Sequence, residues 1–429
     1  MESLKGSDNR KKIIVVGGGF AGLNFVQRLF RNKDYQVTLV DKNNYNYFTP
    51  LLYQVATSFL DPSSISYPFR KLLRNKGIHF RMAELLRVDP ANKTIHLNDG
   101  ELPYDHLVFA AGTKTNFFGN DRIREKAISL KGIDDALYMR NELMKTMEKA
   151  VIERDPAERR KLLTMVVAGG GPTGVEVVGM LAEMRKYIMG KDYPELKGAE
   201  GAIHIADGSP VLLAPMSDKT HEEAFKILAK LGVEIKLNTR VTSYEDNIVS
   251  FSDGESIGAA TLIWAAGVTA HTFEGIPATS LGAGNRMITD VYNKVKGLDN
   301  VWAIGDISIQ ATDPVYPKGH PQLAQPAIQQ GKTLARNFLS MAKGRPMKPF
   351  KYFDRGDMAI IGRNKAMADL LKHKLHLSGF LGLLGWLFIH LISLVNYNNK
   401  VKTLYSWLVA YLTRDQALRM IFRSGNRGT

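Results

Sequence analysis

Gly17-Gly18-Gly19-Phe20-Ala21-Gly22 and Gly169-Gly170-Gly171-Pro172-Thr173-Gly174 repeat one spacing, Gly-x-Gly-x-x-Gly, 152 residues apart. Such a spacing can hold a dinucleotide. The first glycine allows a tight turn, the second lets backbone approach the pyrophosphate, and the third lets a helix pack close to a strand. The helix that follows brings unpaired N–H groups and the positive end of its dipole to the phosphates. Asp41, 22 residues past Gly19, and Asp207 each close a later strand, where a carboxylate accepts hydrogen bonds from ribose hydroxyls. A carboxylate there also repels a 2′-phosphate, so Asp207 predicts NADH over NADPH.

The elements that must position these residues are legible around them. Lys12–Val16 is an apolar, β-branched run before the first motif; Leu23, Val26, Leu29 and Phe30 then recur at helical spacing, and Gln36–Val40 reads as a second strand. The same order returns with the strand Leu162–Ala168, a helix through about Tyr187 and the strand Ala202–Ala206. An insertion at Lys186–Glu200 accounts for the longer interval to Asp207. Leu107–Ala111, Thr261–Ala266 and Asn300–Ile304 are short apolar runs that end at glycine, as parallel strands buried on both faces do. The expected fold is therefore α/β: two Rossmann-like dinucleotide-binding domains plus a C-terminal amphipathic helical membrane-attachment region. Boundaries fall near 1–120 and 271–345 for the first domain, 121–270 for the second and 346–429 for the tail. Two dinucleotide sites imply two cofactors, and a flavoprotein reductase with NADH at the second site and a flavin at the first fits best. Asp306, after the strand ending at Ile304, would approach the flavin's ribityl or pyrophosphate region, or cap the helix expected to begin there.

Composition narrows the chemistry. At 429 residues the chain exceeds one domain, and 45% hydrophobic with 23% charged residues excludes a disordered chain. It has no cysteine, which removes disulfides, thiolate nucleophiles, zinc fingers, iron–sulfur clusters and redox-active dithiols. No His/Asp/Glu spacing suggests a metal site. From Gly331 to Thr429 there are 17 Lys/Arg and four Asp, a net of +13 out of the chain's +15. That basic tail suits an anionic partner, and lipid headgroups fit better than nucleic acid because no helix-turn-helix or base-stacking module is evident. The first twelve residues are polar, with no apolar core of a secretory signal. Leu377–Val395 is nineteen residues without a formal charge, and Val401–Arg423 mixes Leu404, Trp407, Leu408, Tyr411 and Phe422 with Lys402, Arg414, Arg419 and Arg423. Glycines and His390 within the uncharged stretch favour a helix lying partly on protein and partly in the lipid interface over one that spans. A buried helix pair would leave the basic excess unexplained.

With FAAGT (Phe109–Thr113), WAAGV (Trp264–Val268) and AIGD (Ala303–Asp306), the two glycine motifs resemble the pyridine-nucleotide flavoprotein disulfide-reductase superfamily. Within it, Asp41–Leu73, Gly169–Gly179 and AQPAIQQG (Ala324–Gly331) resemble type II NADH:quinone oxidoreductase, a likeness running from about Lys12 into the tail. The resemblance implies a respiratory NADH dehydrogenase that carries FAD and pumps no protons. It would be a homodimer held peripherally on a membrane, at its cytoplasmic face, by its C-terminal helices, passing electrons from NADH to quinone. It assigns FAD contacts to Gly17, Gly18, Gly19, Phe20, Ala21, Gly22, Asp41, Lys42, Thr113 and Asp306, with Leu85 beside the adenine. Gly171, Gly174 and Asp207 would contact NADH. Ala324, Gln325 and Gln329 match the quinone-site motif, the first two also reaching the cofactor. An amide there can donate to a quinone carbonyl as charge develops; the plainer role for Gln325 is a satisfied helix-start amide. Glu176, on the first turn of the second nucleotide helix, would relay protons, or simply complement the helix dipole. Arg363 or Lys365 would balance a flavin anion, or be ordinary surface charges, and His390 reads as a satisfied histidine. Two other readings use the same residues: a soluble reductase for a ferredoxin-like protein, and a non-catalytic flavin- and NADH-sensing membrane protein.

Overall fold

Lys11–Val16 is a six-residue strand in which Ile13, Ile14, Val15 and Val16 are all buried. Burial on both faces demands cover above and below, the setting of a central parallel strand. It pairs in parallel with Tyr35–Asp41 on one side and His106–Phe109 on the other. Ile78–Met82 extends the sheet beyond Tyr35–Asp41, and Val301–Ala303 beyond His106–Phe109. These coordinates are a computed structural model that describes residues 9–363, 365–370, 374–413 and 418–421. The polar N-terminal stretch 1–8 and Arg414, Phe422 and Arg423, named above, lie outside the described residues.

The chain folds as two compact units, one of residues 1–46, 67–114 and 268–354, the other of residues 47–66, 115–267 and 355–429. The divisions differ from those read in the sequence at two places. Residues 47–66 and 355–429 both belong with the second unit.

The second unit repeats the sheet of the first. Met165–Ala168 lies between Ile203–Ala206 and Thr261–Trp264, with Val233–Lys236 and Ile128–Ser129 outside them, all parallel. In each unit the glycine motif follows the middle strand. The strand starts at Met165, not Leu162, because Leu162 and Leu163 complete the preceding helix Pro156–Leu163.

In the first unit the helix Phe20–Arg28 buries Ala21, Leu23, Phe25 and Val26, and crosses the helix Ala324–Ala342. Gly331 sits at the crossing, where a Cβ would come within 2.3 Å of the Ala21 carbonyl oxygen. Phe25 and Phe338 meet edge to face at 5.3 Å beneath it.

In the second unit an antiparallel sheet of Gly356–Ile361, Lys365–Leu370 and Leu375–Leu377 carries the tail helix Gly379–Ser393. Gly382 faces the sheet so closely that a Cβ would meet the Ala366 carbonyl oxygen at 2.3 Å, whereas Phe380, Leu381, Leu384, Phe388 and Ile392 are exposed. The last helix, Tyr397–Thr413, buries Asn399, Thr403 and Trp407 and exposes Val401, Leu404, Tyr405, Leu408 and Leu412. Trp386 and His390 stack at 3.9 Å, with Trp407 at 5.6 Å from Trp386. His390 Nδ1 donates to the Trp386 carbonyl at 2.8 Å, and burial lowers the ring's pKa to about 4. It is a neutral, hydrogen-bonded histidine. The uncharged stretch 377–395 does not form one helix: its 15-residue helix is ~22 Å long at 1.5 Å per residue, short of a bilayer core of ~30 Å. Among the described residues no helix is long and apolar enough to cross a membrane.

One polar lock ties this antiparallel sheet to the helix Asp218–Lys230. Fully buried Asp369 accepts from Ser217 N at 2.7 Å, Ser217 Oγ at 2.9 Å and Thr220 Oγ1 at 2.9 Å, with His376 Nδ1 at 2.8 Å. Burial pushes its pKa up, but these hydrogen bonds outweigh it and hold the carboxyl below its ordinary range. A depressed folded pKa contributes stability that is present above the unfolded value and lost as pH falls through the folded one. Asp369→Asn turns a donor toward donors, so we expect it to destabilise the protein by about 3 kcal/mol at pH 7. Thermal unfolding checks this: the gap to wild type should close as pH falls below the ordinary Asp value of ~3.9 and through the lowered one.

Candidate active site

The first motif forms a cradle by letting backbone touch backbone. Gly17 turns at φ 101°, and a Cβ on it would lie 2.5 Å from the Ala110 carbonyl oxygen. Gly22 is tighter, its Cβ falling 1.9 Å from the Gly17 carbonyl oxygen. Gly19 is open, with nothing within 4 Å of where a Cβ would be. The second motif matches it feature for feature: Gly169 turns at φ 113° against the Ala265 carbonyl oxygen at 2.5 Å, Gly174 would meet the Gly169 carbonyl oxygen at 1.8 Å, and Gly171 is open. The Ala-Ala pairs of FAAGT and WAAGV therefore supply the floor on which each first glycine closes. At each cradle a helix starts without a side-chain cap, at Gly19 and at Gly171, leaving its first N–H groups facing outward. The open second glycine and the uncapped helix start fit a dinucleotide pyrophosphate at both places.

Asp41 and Asp207 perform one task in common. Asp41 Oδ2 accepts from Gly18 N at 2.7 Å and Oδ1 from Asn43 N at 2.8 Å. Asp207 accepts from Gly170 N and, at 2.6 Å, from Ser209 N. Each carboxylate thus pins the middle of its glycine loop. Burial raises the Asp41 pKa against those two N–H donors. Asn46, which sequence reasoning missed, holds the loop from the other side, its Nδ2 donating to the Gly18 carbonyl at 2.8 Å. Lys42 is exposed and Thr113 begins the strand Thr113–Thr115. Leu85 faces the core; the backbone beside Asp41 is that of Ala83, whose N–H donates to the Asp41 carbonyl at 3.0 Å.

Asp306 does not start a helix. It lies in a single 3-10 turn, Gly305–Ile307, and the helix begins 18 residues later at Ala324. Two glutamines fix that turn: Gln330 Oε1 accepts from Gly305 N at 2.6 Å, and Gln322 Nε2 donates to the Asp306 carbonyl at 3.0 Å. Arg286 is buried nearby, donating to the Ser308 and His320 carbonyls. Burial lowers its pKa and the Asp306 charge opposes that.

Ala324 and Gln325 occupy the first turn of the helix Ala324–Ala342, and Gln325 is half-buried. Both ends of the Gln329 amide are engaged, Nε2 donating to the Phe353 carbonyl at 2.8 Å and Oε1 accepting from Phe353 N at 3.0 Å. Of the three motif glutamines, Gln330 holds the Asp306 turn, Gln329 clamps the 353 backbone and Gln325 stands at the helix start.

Glu176 is the fifth residue of the helix Pro172–Met184, past the first turn expected for it. It is 9% exposed; burial drives its pKa well above the ordinary carboxylate range, against one hydrogen bond from Ile360 N. A raised pKa favours the protonated carboxyl, which carries no charge to complement a dipole but holds a proton that can be given away. Arg363 lies 4.7 Å from the Tyr411 ring, and with Lys365 its charge bears on Glu183, which burial raises. Among the described residues no cluster of three His, Asp or Glu side chains could hold a metal ion.

Comparison with known proteins places this architecture. The family model described as pyridine nucleotide-disulphide oxidoreductase matches residues 11–331. Type II NADH:quinone oxidoreductase NdhA of Mycobacterium tuberculosis is 34% identical over 423 residues, covering 94% of this chain and 88% of that protein. Type II NADH:quinone oxidoreductase Ndh of the same organism is 33% identical over 424 residues, covering 94% and 89%. In fold, the chain matches a solved structure of NDH2 from Plasmodium falciparum in complex with NADH, with a TM-score of 0.87 at 22% identity, over 97% of this chain and 100% of that one. The twin cradles, the family match and a third of residues identical along nearly the whole length lead to one conclusion: the chain belongs to the pyridine nucleotide-disulphide oxidoreductase family and, within it, to the type II NADH:quinone oxidoreductases.

Proposed function

We propose that the chain oxidises NADH and reduces a membrane quinone to quinol by way of non-covalently bound FAD, without pumping protons. The observation that carries this reading is the pair of like cradles, each with an open second glycine, an uncapped helix start and a carboxylate bound to the loop's middle N–H. Bound FAD supplies a ring that accepts a hydride and passes on two electrons. The first cradle would hold it through Gly17–Gly22, Asp41, Lys42, Thr113 and Asp306, with Leu85, Ala324 and Gln325 as further contacts. Gly171, Gly174 and Asp207 bind and orient NADH. Gln325 donates to a quinone carbonyl, Gln329 shapes the wall there through Phe353, and Glu176 holds the proton that quinol formation needs.

The exposed apolar sides of the two tail helices, in a sequence region (331–429) of net charge +13, suit a lipid interface with anionic headgroups. The enzyme attaches there peripherally, at the cytoplasmic face, as a homodimer.

Anaerobic turnover of the purified holoenzyme with NADH and a decyl-side-chain quinone tests this reading. One quinol per NADH is expected; flavin that NADH reduces but quinone fails to reoxidise would overturn it. Nucleotide choice gives a further check. Asp207→Ser removes the charge that repels a 2′-phosphate, and kcat/KM for NADPH should rise at least about tenfold. No gain with NADPH would take Asp207 out of the ribose position.

A further inference from the structure

Three buried polar side chains of the second unit have no part in the reading so far. Tyr53, Gln54 and Trp407 are 3%, 3% and 7% exposed. Trp407 Nε1 donates to Gln54 Oε1 at 2.8 Å, and Gln54 Nε2 donates to the Tyr53 hydroxyl oxygen at 3.0 Å. An indole N–H can only donate, so it decides which end of the amide faces it. Gln54 must then point its NH₂ at Tyr53, and the Tyr53 oxygen, already accepting, directs its own proton elsewhere.

Packing sets what lies beyond Tyr53 and what steadies the chain. The helix Leu52–Ala56, which carries Tyr53, packs on the helix Pro172–Met184, which carries Glu176. Burial raises the Tyr53 pKa well above its usual value, and Glu176, whenever it is ionised, raises it further, so the hydroxyl stays protonated. The other titratable groups on elements packed against the Glu176 helix are Asp357, His204, Arg185, Lys186 and Tyr187, and His204 Nδ1 sits 3.2 Å from Glu234. At the other end, Asn399, Thr403 and Trp407 form one face of the helix Tyr397–Thr413. Asn399 Nδ2 donates to the carbonyls of Ser63, Ser64 and Ser66 at 3.1, 2.9 and 2.9 Å, and Thr403 Oγ1 to Ser64 at 3.2 Å.

We infer that Trp407, acting through Gln54, aims the Tyr53 hydroxyl at Glu176, where it stabilises the carboxylate left when Glu176 gives its proton to the quinone. Trp407 and Gln54 are positioning residues, and a helix whose opposite face meets lipid thereby sets a buried hydrogen bond. The step balances. NADH supplies two electrons and one proton as hydride, the Glu176 O–H bond breaks as a quinol O–H forms, and solvent returns the proton to Glu176. The inference rests on the quinone reductase reading.

The test uses full-length holoenzyme and two acceptors, a decyl-side-chain quinone and ferricyanide, which takes electrons without protons. Trp407→Phe and Tyr53→Phe should each lower the ratio of quinone to ferricyanide turnover about tenfold. Losing a donor to the charged form raises the Glu176 pKa, so the alkaline limb of the quinone pH profile should move up by about one unit. In a Glu176→Gln background neither variant should lower the ratio further, because one chain acts as one unit. Should Trp407→Phe fail to retain flavin, Gln54→Leu breaks the same chain. An alkaline limb coincident with wild type, or an undiminished effect in the Glu176→Gln background, overturns the inference and leaves the quinone reductase reading standing. Wild type that reduces ferricyanide but no quinone overturns both.

Discussion

Gly22→Ala should purify without flavin and show no NADH oxidation, while Gly174→Ala keeps its flavin and loses its grip on NADH. A methyl group at either position would stand 1.9 or 1.8 Å from a backbone carbonyl oxygen, that of Gly17 or of Gly169. Neither neighbour is a side chain that can swing away. Relief requires opening the glycine loop itself, and that loop supplies the N–H groups a pyrophosphate needs. Overpacking alone costs about 1–3 kcal/mol; misplacing several N–H donors at once adds the loss of each charge-assisted bond. The expected results are a colourless Gly22→Ala protein and a Gly174→Ala protein with normal flavin absorbance whose KM for NADH rises at least a hundredfold. Gly19→Ala and Gly171→Ala test the cradle from its open side, since each added methyl has room until the nucleotide arrives. They should fold normally and bind weakly.

Glu176→Gln should slow quinone reduction about a hundredfold, the lower range for loss of a positioned proton donor, while ferricyanide reduction is far less affected. Burial raises the Glu176 pKa well above the carboxylate range, so the proton donor persists to higher pH than an ordinary carboxyl and is lost as pH rises through the raised value. Quinone turnover should therefore fall as pH rises through the raised value, and the variant should lack that limb. Stability carries the same sign. A folded pKa above the unfolded one gives stability that is complete below the unfolded value and lost as pH rises through the folded one. Glutamine does not ionise, so the variant's melting temperature should gain on the wild type's as pH rises above the ordinary Glu value of ~4.3, by a few degrees for each ~1 kcal/mol gained. A variant whose advantage does not grow with pH would mean that Glu176 is already charged in the native protein.

What could be read from the sequence was the local grammar. A strand, a glycine turn and a helix occupy consecutive residues, so both cradles and both carboxylates were visible. The reason for the alanines was not: Ala110 and Ala265 matter because a glycine from another strand closes on their carbonyls. Gln329 and Gln330 are neighbours in sequence but lie about 100° apart around the helix. The motif singled out the one that clamps Phe353 and passed over the one that holds Gly305. At Asp306 the order strand, Gly, Asp promised a helix, yet an irregular stretch intervenes before Ala324. Glu176 was found by its motif, but its burial depends on Ile360 and the sheet around it. The Tyr53–Gln54–Trp407 chain joins residues 353 positions apart, and no local pattern announces such a pairing.

The four tryptophans divide usefully. Trp264 and Trp302 belong to the two parallel sheets, whereas Trp386 and Trp407 lie 5.6 Å apart in the tail helices, the former stacked on His390. Phenylalanine at 264 and 302 would leave a protein whose tryptophan emission comes from the tail alone. Peeling those helices away would then appear as a change in brightness and colour separate from unfolding of the sheets. The molecule thus carries its own optical gauge of how firmly its C-terminal helices are seated.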